Sequence, residues 1–331
     1  MSAIPKAQEA QRPTSLATYL GQDHLKPLLR LHIQAADKGI AFPHTLISGP
    51  PGLGKTTLAN VLADELYTMM VMVPMSHLQT AQSTAAYFRR TFVRIYEIWS
   101  QHPNPQNYHS LIFLDEVHTI PQASAEVLYT MMEDGVLRYG GDPLALTPFA
   151  IVGATTDPGD LPQPFLDRFG LHLELEPYDY AHLGCISIEM LQRELPEPLW
   201  PHTVNPDELH HCAVEVAYRS RGTPRLAVHY TRGLLSMSIA EETPLTVERT
   251  QAYFELLQID DHGLGPKDHR VLRYLSEQQR PVGVAALASG TRLHERELVQ
   301  MVEPYLIRRG WMVRGRGGRE ITDAGLQLLP S

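Results

Sequence analysis

The run Gly49-Pro50-Pro51-Gly52-Leu53-Gly54-Lys55-Thr56 constrains the fold of this chain more than any other stretch. It follows the short apolar run Thr45-Leu46-Ile47-Ser48 and precedes Thr57-Leu58-Ala59-Asn60-Val61-Leu62-Ala63. The order is therefore buried strand, glycine-rich loop, helix. Glycines let backbone N–H groups turn inward where a Cβ would block them. The helix N-terminus adds partial positive charge. In such a cradle Lys55 reaches the β- and γ-phosphates, and the Thr56 hydroxyl holds Mg²⁺. The alternative is a glycine-rich turn that binds nothing, which the strand–loop–helix context disfavours.

Composition excludes several classes. The 331 residues suggest two or three domains, and 43% hydrophobic against 20% charged residues allows each to bury a core. A net charge of -9 is not that of a globally basic nucleic-acid binder. The charge is uneven, however: from Pro266 onward 11 Lys+Arg face 7 Asp+Glu, a local +4 that leaves about -13 on the rest. The two cysteines, Cys185 and Cys212, form no disulfide or zinc pattern, and the 16 histidines lack a paired metal spacing. No signal-peptide core is evident, and the longest apolar run, Met69 to Met75, is too short to cross a bilayer. A soluble, cytoplasmic protein without a membrane partner is expected.

The expected fold class is α/β: a parallel sheet core, a helical lid and a C-terminal winged helix. Residues up to Gln11 are polar and expected to be loose. Strands are predicted at Thr45–Ser48, Leu111–Asp115, Ala150–Ala154 and Leu171–Glu176, separated by helical stretches, which implies a parallel sheet covered on both faces. Ser76–Trp99 carries Tyr87, Phe88, Phe92, Ile95 and Trp99 at helical spacing. The domains expected are 1–178, a large sheet-and-helix domain with the phosphate loop; 179–258, a small helical domain; and 259–331, a last compact unit. Asp260–Pro266 reads as a linker by composition.

Four further motifs bear chemistry. Leu111-Ile112-Phe113-Leu114-Asp115-Glu116 is a buried strand ending in two carboxylates: Asp115 to help hold Mg²⁺ through water, Glu116 to polarise the attacking water. Read alone, the pair is equally a favourable acidic helix start. Gly153-Ala154-Thr155-Thr156 puts hydroxyls at the next strand tip, beside the γ-phosphate; the alternative is a helix cap. In Phe165-Leu166-Asp167-Arg168-Phe169-Gly170 the apolar flanks are expected inside and Arg168 outward, as a finger reaching a neighbour's nucleotide or as a plain salt-bridge partner. In Ser220-Arg221-Gly222-Thr223-Pro224-Arg225, Thr223 suits an N-cap and Pro224 the first helical position. Arg225 then swings onto the γ-phosphate or serves only the helix.

In this order these residues resemble the AAA+ ATPases, and most nearly the RuvB family of bacterial Holliday-junction branch-migration motors. The likeness begins at Arg12-Pro13-Thr14-Ser15-Leu16 and Tyr19-Leu20-Gly21-Gln22. It continues through Gly49–Asn60, Asp115-Glu116-Val117-His118, Leu128-Tyr129, Met132-Glu133-Asp134, Gly153–Thr156, Asp167–Gly170 and Ser220–Arg225, and resumes at Glu303-Pro304-Tyr305-Leu306-Ile307. The resemblance implies an adenine-pocket wall from Arg12, Tyr19 and Leu20, and nucleotide contacts from Gly49, Pro50, Pro51, Gly52, Leu53, Gly54, Lys55, Thr56, Thr57, Thr155, Pro224 and Arg225. It implies Lys55, Asp115, Glu116, Thr156 and Arg168 as catalytic residues, Thr56 and Asp115 as Mg²⁺ ligands, and ATP with Mg²⁺ as the cofactor set. It further implies a homo-oligomeric ring, a hexamer in the family, and a RuvA-like junction-binding partner. Three departures mark a divergent relative. Tyr67–His109 is rewritten, with a Pro/Asn-rich loop at His102–Tyr108. Gly135–Thr147 is shorter than the family's partner-docking hairpin. Leu166 stands where the family has another arginine.

The C-terminal residues read as helices His269–Glu277, Val284–Ala288 and Arg292–Arg309, the last with Leu298, Met301, Val302, Tyr305 and Leu306 on one face. Trp311–Val313, a flexible cationic turn Arg314–Arg319 and a return strand Glu320–Thr322 complete a winged helix. Arg314, Arg316 and Arg319, with Arg308 and Arg309, are the candidate contacts to duplex or branched DNA phosphates. The function expected is ATP-driven DNA translocation or branch migration; the alternative is a clamp-loader-like or initiator-like ATP switch that assembles on DNA without processive motion.

Overall fold

The computed structural model describes residues 12–101, 110–194 and 206–329. The expectations for the stretch up to Gln11 and for the loop His102–Tyr108 lie outside them. Packing divides the chain into two compact units, one ending at Tyr178 and one starting at Asp179.

In the first unit α1 (Lys26–Asp37) precedes β1 (Thr45–Ser48), α2 (Lys55–Glu65), β2 (Met69–Val73), α3 (Ala81–Ser100) and β3 (Ser110–Leu114). Then come α4 (Gln122–Asp134), the short strands β4 (Val136–Leu137) and β5 (Leu144–Ala145), β6 (Phe149–Thr155), α5 (Gln163–Leu166) and β7 (Leu171–Glu174). Five strands form one parallel sheet in the order β2-β3-β6-β1-β7. The central strands β1, β3 and β6 are buried nearly throughout, which is why they read as unbroken apolar runs. All four expected strands are present. The edge strand β2 was not expected: its sequence Met-Met-Val-Met-Val lacks alternation, and four of its five residues are only partly covered or exposed.

The helix expected within Ser76–Trp99 starts at Ala81, because Thr80 caps it: Thr80 Oγ1 accepts from Ser83 N, and Ser83 Oγ accepts from Thr80 N. Phe88, Phe92, Ile95 and Trp99 pack into the sheet core, as their spacing required. The β4–β5 hairpin is strapped to this helix, since Arg89 donates to the Asp142 carbonyl at 2.8 Å.

The second unit opens with α6 (Tyr180–Glu194), α7 (Pro206–Arg219), α8 (Pro224–Ala240) and α9 (Val247–Leu256). It continues with α10 (Pro266–Ser276), α11 (Val284–Thr291), α12 (Glu295–Glu297), α13 (Glu303–Arg308), the antiparallel pair β8 (Met312–Gly315) and β9 (Gly318–Ile321), and α14 (Asp323–Leu326). The helix expected over Arg292–Arg309 is broken by a π turn at Leu298–Val302. Pro304 cannot donate to the carbonyl one turn back, and widening that turn accommodates its ring. The widening also shifts the register, so Met301, expected on the core face, is 67% exposed.

Candidate active site and nucleic-acid interface

The phosphate loop leaves the C-terminal end of β1. The carboxylates leave β3 and the threonines end β6, so all three converge at one edge of the sheet, where ligands of such folds sit. Gly49 and Gly54 adopt φ of 141° and 95°. A Cβ on Gly49 would stand 2.8 Å from the Leu175 carbonyl, so only glycine fits there. Lys55 opens α2 and its Nζ donates to the Gly49 and Pro50 carbonyls at 2.7 and 3.3 Å. The ammonium is thus held inside the loop, and the side chain is buried.

The first segment packs beside this loop. Arg12 donates to Asn60 Oδ1 of α2. Tyr19 is buried, accepts from Tyr178 OH at 3.2 Å, and its own hydroxyl lies 3.4 Å from where a Gly54 Cβ would be. Burial pushes the pKa of both phenols up. Leu20 is half-buried alongside. Asn60 and Tyr178 were not singled out by sequence reasoning; one helical turn separates Asn60 from Thr56, whose carbonyl it also contacts at 2.7 Å.

The residues at the tips of β3 and β6 form a linked set. Asp115 is exposed, and its Oδ1 accepts from Glu116 N at 3.1 Å. Glu116 sits at φ 47°, a left-handed conformation that costs a non-glycine residue of order 1 kcal/mol and turns its carboxylate sideways. Thr156 Oγ1 donates to Glu116 Oε2 at 3.1 Å and lies 2.9 Å from Asp157 Oδ2. Thr155 is fully buried; its Oγ1 lies 3.0 Å from His118 Nδ1 and accepts from Asp157 N at 3.1 Å. His118 is also 3.4 Å from Glu116 Oε2. It was quoted in the resemblance with no role; its signal was its place three residues beyond the strand-tip aspartate.

Around Arg168, Phe165 and Phe169 are buried as expected. The arginine does not project freely, however. Nη1 donates to the Pro164 carbonyl at 2.8 Å, Nη2 to Glu133 Oε2 at 3.1 Å, and the guanidinium lies 5.2 Å from the Tyr129 ring centroid. Its Nε is buried without a hydrogen-bond partner among the described residues. Leu166 packs against the sheet core.

In the second unit Thr223 stands at the N-cap position of α8 and Pro224 begins the helix. The Thr223 hydroxyl does not cap, contrary to expectation: it donates back to the Arg221 carbonyl at 3.3 Å. Arg225 is exposed in the first turn.

The arginine set expected on DNA divides. Arg319 is 9% exposed and donates from Nε and Nη2 to both oxygens of Glu303, itself 1% exposed, at 2.8 and 3.1 Å. Arg319 is a buried ion-pair partner, not a phosphate contact. The flexible turn is a tight hairpin with Arg314 opposite Arg319 and only Arg316 and Gly317 between Gly315 and Gly318. Arg314 and Arg319 are register partners and so share one face of the hairpin. Arg319 is buried on Glu303, whereas Arg314, with Nη1 3.9 Å from Glu303 Oε2, remains largely exposed, as does Arg316. Arg308 donates to the Arg221 carbonyl at 2.6 Å and Arg309 to Tyr180 OH at 2.9 Å, so both guanidinia face their own unit.

The residues at the sheet edge fit Mg²⁺. Thr56 and Asp115 offer hard oxygen donors, and among the described residues no cluster of three or more His, Cys, Asp or Glu could hold a metal alone. A cation completed by phosphates and water suits that arrangement. Among the described residues no helix is long and apolar enough to cross a membrane.

Residues 11–175 match the family model described as the Holliday junction DNA helicase RuvB P-loop domain, and residues 261–330 that of the RuvB C-terminal winged helix domain. The chain is 32% identical over 326 residues to the Holliday junction branch migration complex subunit RuvB of Staphylococcus saprophyticus, covering 94% of this chain and 89% of that one. Among solved structures it resembles the Thermotoga maritima RuvB Holliday junction branch migration motor (TM-score 0.75, 31% identity, 96% of this chain and 97% of that one). A proline-to-glycine mutant of that protein gives a TM-score of 0.77 at 30% identity, covering 96% of this chain and 100% of that one. The Aeropyrum pernix ORC2 protein, at 16% identity and a TM-score of 0.60 over 95% of this chain and 92% of that one, shares the fold alone. A parallel-sheet nucleotide domain with its phosphate loop, a winged helix, and similarity along nearly the whole length agree: this chain belongs to the RuvB family of Holliday-junction DNA helicases.

Proposed function

We propose that this chain hydrolyses ATP to drive duplex DNA through branch migration, acting as a cytoplasmic ring in which each subunit completes its neighbour's site. The observation that carries this reading is the phosphate loop with Lys55 at the same sheet edge as the linked set Asp115, Glu116 and Thr156, in a chain that also bears an exposed cationic hairpin. The three functional parts are 1–178 for nucleotide, 179–258 as lid and 259–331 for DNA.

Lys55 and the loop amides neutralise the terminal phosphates. Thr56 and Asp115 would hold Mg²⁺, which would supply charge neutralisation to the phosphates. Glu116 orients the attacking water and draws its proton, with Thr156 setting the carboxylate's direction. Arg12, Tyr19 and Leu20 border the base, and Arg225 senses the nucleotide.

Arg168 is the finger in trans. Its cis pair with Glu133 has side chains 26% and 61% exposed, and such a pair contributes only ~0–1 kcal/mol. The arginine is parked at low cost and can be given up to a neighbour's γ-phosphate. Arg314 and Arg316 are the DNA contacts this reading retains. The family's RuvA-like partner belongs to the proposal too, with the docking hairpin here reduced to two two-residue strands.

The test is ATP hydrolysis by purified protein with and without duplex DNA, together with displacement of a strand from a synthetic four-way junction. DNA-stimulated hydrolysis with displacement is expected. Absence of hydrolysis would overturn the reading, and hydrolysis without displacement would favour the loading switch.

A further inference from the structure

Asp260–Pro266, a linker by composition, is not slack. Asp260 Oδ1 accepts from His262 N and Leu264 N at 2.9 and 2.7 Å, and Leu264 is fully buried. A Cβ on Gly263 would stand 2.8 Å from the Arg219 carbonyl, so the strap lies directly on the end of α7. Arg219, 4% exposed, donates to Glu215 and to Asp261 and lies 4.8 Å from the Phe254 ring centroid.

Arg221 is the centre of this junction. It sits at φ 52°, a conformation held by its contacts. Its Nε donates to the Gly263 carbonyl at 2.6 Å, and its two terminal nitrogens donate to both carboxylate oxygens of Asp268, which is 3% exposed. Its guanidinium lies 4.9 Å from the Tyr305 ring centroid, and Tyr305 OH donates to the His262 carbonyl at 2.6 Å. The Arg221 carbonyl accepts from Arg308, the last residue of α13 before the hairpin strand β8. On the other side, Thr223 N donates to Ser220 O at 2.8 Å, Thr223 Oγ1 to the Arg221 carbonyl, and Pro224 fixes the first helical φ before Arg225.

These contacts form a short, stiff chain from the C-terminal end of α13, which leads into the hairpin, to the first turn of α8. A bidentate buried pair resists displacement because separating it leaves a desolvated charge unmatched. We propose that Arg221 is a positioning residue that couples DNA engagement by the winged helix to nucleotide sensing by Arg225, with Asp268 and Arg308 as its anchors on the winged-helix side. Arg308 thereby belongs to the coupling chain and not to the DNA surface. The inference rests on the branch-migration reading given above.

The experiment compares the affinity of a non-hydrolysable ATP analogue with and without saturating duplex DNA, in wild-type protein and in R221A, D268N and R308A. Thermal unfolding and duplex affinity are measured on the same samples. In the wild type, duplex is expected to change analogue affinity by about 5- to 150-fold, the ordinary range of coupling between sites, and analogue to change duplex affinity by the same factor. In R221A the factor falls to about one. R308A removes one exposed guanidinium and leaves the buried pair in place, so it tests the chain even if R221A or D268N fails to fold; its factor is expected to fall as well. A lowered melting temperature with an unchanged factor in R308A and in any folded variant at Arg221 or Asp268 would make the cluster structural glue and overturn the proposal. So would an R308A protein that loses duplex affinity while keeping the factor, since Arg308 would then be a phosphate contact. A wild-type factor of one in a protein that hydrolyses ATP also overturns it, whereas failure of the wild type to bind nucleotide sinks the branch-migration reading itself.

Discussion

Thr156 Oγ1 donates to Glu116 Oε2 at 3.1 Å, joining the tip of one strand to a carboxylate carried past the tip of its neighbour. The hydroxyl fixes which way the carboxylate points, while the left-handed backbone of Glu116 removes the alternative of an ordinary helical start. E116Q is expected to lower kcat by about 10²–10⁴-fold while nucleotide still binds. T156V leaves the carboxylate but frees its direction, and is expected to lower kcat by up to about 10²-fold with little change in KM. Steady-state hydrolysis beside equilibrium nucleotide binding separates the two effects; a T156V enzyme changed only in KM would remove the hydroxyl from the chemical step.

A finger acting in trans predicts complementation. K55A and R168A proteins are each expected to be nearly inactive, the second by roughly 10³–10⁵-fold. Mixing them creates boundaries where an intact phosphate loop meets an intact Arg168, so part of the hydrolysis returns. A mixture as inactive as its components would place the arginine in its own subunit's site.

Arg319 and Arg314 face each other across the hairpin yet should behave oppositely. R319A strands the buried Glu303 carboxylate and is expected to cost ~3–5 kcal/mol of stability in urea unfolding. R314A and R316A are expected to stay within about 0.5 kcal/mol of the parent. Each should instead reduce the salt slope of duplex binding by about one.

His44 carries a pH signature. Burial holds its imidazole pKa below the usual histidine value, against a smaller opposing effect of the Met132 carbonyl, and Nδ1 accepts from Ile151 N at 2.9 Å. The folded state therefore keeps the ring neutral where the unfolded chain takes up a proton. Its contribution is complete above the ordinary histidine range and is lost as pH falls through that range toward the lowered folded value. Melting temperature followed across acid pH should show this slope, and H44Q should flatten it. An unchanged slope in H44Q would assign the effect elsewhere.

Much of the fold was legible in the residues. Thr45–Ser48, Leu111–Asp115 and Ala150–Ala154 announced buried parallel strands, because a strand covered on both faces reads as a largely apolar run. The Phe88–Trp99 spacing announced a helix. The strand β2 escaped notice because an edge strand half open to solvent obeys neither the buried nor the alternating pattern.

The sequence by itself determined the chemistry of the nucleotide site, because glycines, lysine and strand-tip carboxylates act through local backbone geometry and fixed spacing along the chain. Only the tertiary structure decided which arginines are available. Arg314 and Arg319 belong to one cationic run in sequence and share one face of the hairpin; packing buries Arg319 on Glu303 and leaves Arg314 exposed. Arg168 is parked on Glu133, 35 residues away, and Arg221 is clamped to Asp268, 47 residues away. A guanidinium's role depends on which carboxylate or carbonyl the packed chain brings to it, and such long-range partners leave no mark in local spacing.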